Sequence, residues 1–150
     1  MKIIKTEQAT ITDLDQLSVL FDQYRVFYKK SSDVAAAKKF LSERIEKKES
    51  IIFISFDDKN AMTGFTQLYP LFSSTRMKRL WLLNDLFVDS NYRGQGFSVT
   101  LIERAKALCK ETSACGLMLE TAKTNDIGNN LYPKTGFTLD EDHNYYSWDV

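Results

Sequence analysis

The stretch Arg93-Gly94-Gln95-Gly96-Phe97-Ser98 has residue types and spacing that could do chemistry. Gly94 and Gly96 permit backbone conformations that a side chain would forbid. A loop of this kind aims several N–H groups at one point, at the positive end of the helix that follows. The chemistry is anion binding, and a phosphate suits it. Two phosphate loops are excluded. A P-loop ends in Gly-Lys-Ser/Thr, and no such triplet follows Gly96. A dinucleotide fingerprint needs a third glycine where Val99 stands. Other centres offer less. His143 is the single histidine and sits among Asp140, Glu141, Asp142 and Asn144, so neither a metal set nor a Ser-His-Asp grouping forms around it. Cys109 lies on the apolar side of a helix, where packing is the better reading, and with Cys115 it makes no C-x-x-C pair.

This loop needs a strand before it and a helix after it. The apolar run Leu80-Trp81-Leu82-Leu83-Asn84-Asp85-Leu86-Phe87-Val88 reads as the strand. Val99, Leu101, Ile102, Ala105 and Leu108 share one face at helical spacing. Residues 117–121 read as the next strand and 126–135 as a helix, with Pro133 awkward in its last turn. Upstream, residues 2–7 read as a first strand. Thr12 is the expected N-cap of a helix whose face is Leu14, Leu17, Leu20, Phe21, Tyr24 and Tyr28. A second helix is expected from Ser32 or Asp33 to about residue 48, with Val34, Ala37, Phe40, Leu41 and Ile45 inward. Residues 51–56 and 62–69 read as a hairpin that Pro70 ends, followed by a loop at Ser73-Ser74-Thr75. Residues 137–139 and 145–148 read as closing strands. The pattern implies a mixed α/β sheet with helices on both faces, in one domain spanning 1–150.

Two stretches together resemble the GCN5-related N-acetyltransferase (GNAT) family. Arg93, Gly96 and Ser98 occupy the positions of its Gln/Arg-x-x-Gly-x-Gly/Ala loop, after the Leu86-Phe87-Val88 triplet. Ser98 departs from Gly/Ala but stays small. The second stretch, Asn125 to Phe137, matches at Leu131, Tyr132, Lys134, Gly136 and Phe137, with Gly128 in place of the usual alanine. The resemblance covers essentially the whole chain. It implies the GNAT fold: a mixed, mostly antiparallel sheet splayed between its fourth and fifth strands, here residues 79–88 and 117–121. It also implies acetyl-CoA as cosubstrate, entering the wedge, with no metal.

On this resemblance, an amine attacks the thioester of acetyl-CoA in a ternary complex. Leu86, Phe87 and Val88 contribute backbone groups, with the Leu86 N–H facing the oxyanion. Arg93, Gly94, Gln95, Gly96, Phe97 and Ser98 hold the pyrophosphate, and Asn125 and Asn129 join Tyr132 at the cofactor. Tyr132 is the expected general acid for the thiolate, with a packing role as the alternative. The base is left open. Asn84 stands where many relatives carry glutamate; it can hold a water for a carboxylate from Asp85 or Glu120. Asp85 points to the opposite face of the strand unless a bulge intervenes. Tyr24, Tyr28 and Trp81 are candidates for the acceptor site. The competing function is an acyl-CoA-binding sensor or partner-binding module on the same fold.

Composition agrees with an ordinary globular domain. Hydrophobic residues make up 43% and charged residues 27%, with a formal net charge of +0. Nothing there suggests nucleic acid or a membrane as partner, and the resemblance implies a small-molecule or protein amine as acceptor. No run spans a bilayer, and the N-terminus lacks a signal-peptide core, so the cytoplasm is the expected compartment. Aromatic density at Tyr145, Tyr146 and Trp148 suggests a homodimer.

Overall fold

A computed structural model describes residues 3–150, and the chain forms two compact units, Met1–Leu119 and Glu120–Val150. In the first, β1 (Lys5–Gln8), β2 (Ile51–Phe56), β3 (Met62–Ser73), β4 (Lys78–Val88) and β5 (Leu117–Met118) lie in that order in one sheet. The first four pair antiparallel and β5 runs parallel to β4. Three helices, α1 (Leu14–Phe27), α2 (Val34–Glu46) and α3 (Phe97–Glu111), cover the sheet. Of the first expected strand, residue 2 lies outside the described residues and the pairing begins at Lys5.

One sheet face carries Ile52, Ile54, Phe56, Phe65 and Phe87 against Leu14, Leu17, Leu20 and Phe21 of α1 and Ala37 and Leu41 of α2. On the other face α3 packs on β2, β3 and β4, and the Arg104 guanidinium covers the Phe53 ring at 4.2 Å. Several expected inward residues turn out exposed. Val34, Phe40, Tyr28 and Val99 are examples. Phe40 instead stacks on Phe21, 5.9 Å away, with Arg44 over its ring. Phe97, expected only as loop backbone, is 1% exposed and anchors α3 in place of Val99.

Element ends follow local hydrogen bonding. The turn into α1 starts at Thr10 rather than Thr12: Thr10 N–H donates to Asp13 Oδ2 at 2.8 Å, in a capping box. Asp33 caps α2 by accepting from Ala36 N–H at 2.9 Å. Pro70 does not end β3, which runs on to Ser73 with Pro70 opposite Trp81. The β2 pairing stops at Leu68, so Pro70 lies where β3 has become an edge and its missing N–H leaves no ladder bond unmade.

The second unit holds α4 (Asp126–Lys134). Asn125 caps it, accepting from Gly128 N–H at 3.1 Å. A Cβ on Gly128 would lie 2.6 Å from Asn125 Nδ2, so this cap occupies the space that alanine would need. Pro133 is tolerated within α4. Gly136 (φ +92°) then stops the helix: its N–H donates to Pro133 O, and Phe137 N–H donates to Tyr132 O. Phe137 closes edge-on to the Tyr132 ring at 5.7 Å. That is a Schellman stop with its apolar contact, and it gives the Gly136-Phe137 pair a purely structural reason. The expected strands at 137–139 and 145–148 do not form, and β5 ends at Met118 instead of residue 121. A strand exists only in a ladder, and among the described residues the sheet pairing does not include these segments.

Candidate active site

The site is organised by one extra residue in β4. Leu83 lies opposite Leu68 and Asp85 opposite Gln67, so Asn84 is bulged out of the ladder. In a regular strand Leu83 and Asp85 would share a face. The bulge reverses that. Trp81, before it, points toward α3, where its Nε1–H donates to Thr112 Oγ1 at 2.9 Å. Asp85 and Phe87, after it, face α1, and Phe87 meets Tyr24, Phe27 and Phe65 edge-on or tilted.

Asp85 is 3% exposed and carries several hydrogen bonds. Gln67 Nε2 donates to Oδ2 at 2.6 Å and Asn84 Nδ2 to Oδ1 at 3.0 Å. The Tyr24 hydroxyl beside it favours its charged form. Gln67 is held in turn by Ser50 Oγ, which donates to Oε1 at 2.8 Å. Burial pushes the Asp85 carboxyl above the usual carboxylate range, against the lowering effect of Gln67, Tyr24 and Asn84. Burial and the adjacent carboxylate also raise both phenols: Tyr24 strongly, and Tyr69 to about 12. Both therefore stay protonated donors near neutral pH. Tyr28 lies with its ring 5.0 Å from that of Tyr24 and is largely exposed.

Gln67 and Ser50 were not expected here. The signal was present: Gln67 sits in phase with Phe65 and Tyr69, and an inward polar residue on an apolar strand needs a buried partner. Trp81 lies on the other sheet face from this cluster. Glu120 lies beyond β5, exposed, and not on a strand.

The sheet opens beside this cluster. Pairing of β4 with β5 covers only Trp81–Leu117 and Leu82–Met118, so Leu83 to Val88 have no β5 residue opposite. Asp89 N–H bonds Thr63 O, which fixes the alternation of the β3–β4 ladder. The N–H and C=O of Leu86 and Val88 must then point away from β3, into the opening. Arg93 confirms the direction, since its Nε donates to Val88 O at 3.1 Å. The Arg93 guanidinium also covers the Phe27 and Phe87 rings at 5.3 and 5.4 Å. Its side chain thus ties the loop to the end of β4, leaving backbone groups for an anion.

The loop follows a short turn, Ser90–Tyr92, and leads into α3. Gly94 (φ +73°) and Gly96 (φ +90°) both adopt the left-handed region. Gly96 is the N-cap and offers no side-chain acceptor. The first bond within α3 is from Thr100 N–H to Gly96 O, so the N–H groups of Ser98 and Val99 are donors at the helix end. Loop and helix end form an anion cradle. In the second unit, Asn125 and Asn129 spend their side chains locally: Asn125 caps α4, and Asn129 Nδ2 donates to Ala122, Lys123 and Asn125 carbonyls.

A sheet opened along one strand, beside an uncapped glycine-led helix, is what the resemblance to the acyl-CoA-dependent acyltransferases implies. Comparison with known proteins leads to the same class. The model of the acetyltransferase (GNAT) family matches residues 15–137. The chain is 39% identical over 143 residues to Uncharacterized N-acetyltransferase YhfO of Bacillus subtilis (strain 168), covering 95% of both chains. It is 32% identical to a Probable acetyltransferase of Haemophilus influenzae, over 93% of this chain and 91% of that one. A crystal structure of a probable acetyltransferase, 36% identical, superposes with a TM-score of 0.93 over 97% of each chain. The chain belongs to the GNAT acetyltransferase family and is an acyl-CoA-dependent acetyltransferase.

Proposed function

We propose that the protein is an N-acetyltransferase that moves an acetyl group from acetyl-CoA to a primary amine by direct attack in a ternary complex. The observation that carries this reading is the bulge at Asn84. It brings a buried carboxylate to one sheet face while the Leu86 N–H points into the opening beside it. Acetyl-CoA supplies the activated thioester; the residues of this chain do the rest. The N–H groups of the 93–98 loop and the α3 end hold the pyrophosphate. The open β4 edge pairs with pantetheine amides, and the Leu86 N–H stabilises the oxyanion. An alkyl amine is mostly protonated near neutral pH and must lose a proton to attack. Asp85 takes it, through a water held by Asn84 or through the Tyr24 hydroxyl, with Gln67 and Ser50 fixing the carboxylate. Tyr132 gives its proton to the departing thiolate.

The acceptor enters on the α1 side, where Tyr24, Tyr28 and Tyr69 offer ring faces and Asp85 a negative charge, a setting that favours a cationic amine. A single acetyltransferase domain over 1–150 is part of the proposal, supported by a family match that runs across residue 119. The test is thiol release from acetyl-CoA across polyamines, aminoglycosides, amino acids and peptides. Release with any primary amine supports the reading. CoA binding with no release across the panel would instead favour a sensor.

A further inference from the structure

Asp85 is one pole of the acceptor side, and Arg44 at the end of α2 is the other. Arg44 O accepts the Glu49 N–H at 2.9 Å. Ser50 follows in the chain; its hydroxyl donates to Gln67 at 2.8 Å, and Gln67 donates to Asp85 at 2.6 Å. Tyr69 stands two residues beyond Gln67, on the same face of β3. Both charges act on its phenol, the carboxylate of Asp85 holding the proton on and the guanidinium of Arg44 opposing it. Tyr69 is half-buried, and its hydroxyl is neither fully enclosed nor hydrogen-bonded among the described residues. Held to about 12, that hydroxyl is a donor at neutral pH and has no acceptor.

Arg44 has donors to spare as well. Its guanidinium lies over the Phe40 ring at 4.5 Å, a contact that limits its movement. Nε is buried and, at 3.4 Å from Glu49 Oε1, out of line for a hydrogen bond. Nη2 donates to Glu43 Oε2 at 3.3 Å, and Nη1 has no partner among the described residues. The Glu43 and Glu49 side chains are 38% and 48% exposed, and ion pairs that open to water hold weakly. An arginine fork with an unused edge suits a carboxylate, and one cation with one phenol donor suits a monoanion. Resting on the acetyl-transfer reading above, we propose that the acceptor is an amine that also carries a carboxylate, an amino acid or short peptide, with its amine at Asp85 and its carboxylate between Arg44 and the Tyr69 hydroxyl. Arg44 and Tyr69 are then the residues that select the acceptor.

The test is thiol release from acetyl-CoA with α-, β- and γ-amino acids and dipeptides, each beside its own carboxamide. The amide keeps the amine and deletes the negative charge. At least one carboxylate is expected to exceed its amide about tenfold or more in kcat/KM, equivalent to roughly 1.4 kcal/mol. Arg44→Met keeps an unbranched stem against Phe40 and removes the fork. It is expected to erase the preference, chiefly by raising KM for the carboxylate rather than by lowering kcat. Tyr69→Phe keeps the ring and is expected to reduce the same preference; it serves as the readout should Arg44→Met fail to fold. A merely structural Arg44 would lower turnover of acid and amide alike, and that result overturns the inference. So does a parent enzyme that treats acid and amide equally. Absence of release with every amine strikes the acetyl-transfer reading instead. Calorimetry on the CoA-loaded protein then decides the inference: tighter binding of a carboxylate than of its amide, lost in Arg44→Met, upholds it, and equal binding overturns it.

Discussion

Asp85 shows how a single residue acquires a role from its surroundings. In water its carboxyl would ionise in the ordinary acidic range; buried under Tyr24 and Gln67, its proton is held more tightly. This has a signed consequence for stability. A carboxyl raised in the folded state contributes stability that is fully present below its unfolded value. That contribution is lost as pH rises through the raised native value. Asp85→Asn keeps an acceptor for Gln67 Nε2 and removes the buried charge. The variant is therefore expected to gain thermal stability relative to the parent as pH rises from the carboxylate range toward neutrality. Thermal unfolding of both proteins across that range checks it, and a constant difference would remove the titration from the account. Turnover is expected to fall about 10²–10⁴-fold in the same variant if Asp85 is the base. Tyr132→Phe makes a separable prediction. It keeps the ring against Phe137 and deletes only the hydroxyl, so cofactor affinity should change by no more than the about 0.5–1.5 kcal/mol of one hydrogen bond. Turnover should fall about 10²–10⁴-fold, provided chemistry limits the rate. Measuring both on one purified sample decides between acid and packing residue: equal, small changes leave Tyr132 as packing.

Among the elements, the 93–98 loop is where backbone conformation carries the function. A Cβ at Gly96 would meet only Ile4 Cδ1, at 3.8 Å, so space is not the constraint. The constraint is φ of +90°, which L side chains rarely adopt. Gly96→Ala should then cost about 1–3 kcal/mol of strain or push the loop to another conformation. Either way the N–H groups lose their common aim, and affinity for CoA should drop while circular dichroism remains native. Calorimetric titration reads this, and unchanged affinity in a folded variant would take the pyrophosphate off the loop. Gly64 differs in kind: a Cβ there would lie 2.7 Å from Phe87 O, on the backbone of the facing strand. The two glycines serve separate ends, one opening a loop and the other letting β3 and β4 approach beside the opening.

For the molecule as a whole, the packing beneath the site and the site itself are one structure. Phe65 is fully buried and touches Phe21, Tyr24 and Phe87, so it supports both α1 and the Asp85 cluster. Phe65→Ala is expected to lose about 3–5 kcal/mol of stability. Chemical denaturation measures the loss, and a change below about 1 kcal/mol would show that the core collapses around the gap. Much of this was legible in the sequence. The Gly94–Gly96 spacing, the apolar run of β4 and the 3.6-residue stripe of α3 are local patterns, and local sterics and periodicity write them directly. The family resemblance rested on the 93–98 loop after its strand together with the stretch from Asn125 to Phe137. Tertiary structure alone decided the rest. The face that Asp85 takes depends on a bulge set by pairing with β3, which no pattern within β4 reveals. Gln67 and Ser50 meet Asp85 only because three separate segments converge. Pro70 could remain in a strand because β2 had already ended. Residues 137–139 and 145–148 read as strands yet form none, because a segment's own pattern makes it competent to pair and only a neighbouring edge can complete it.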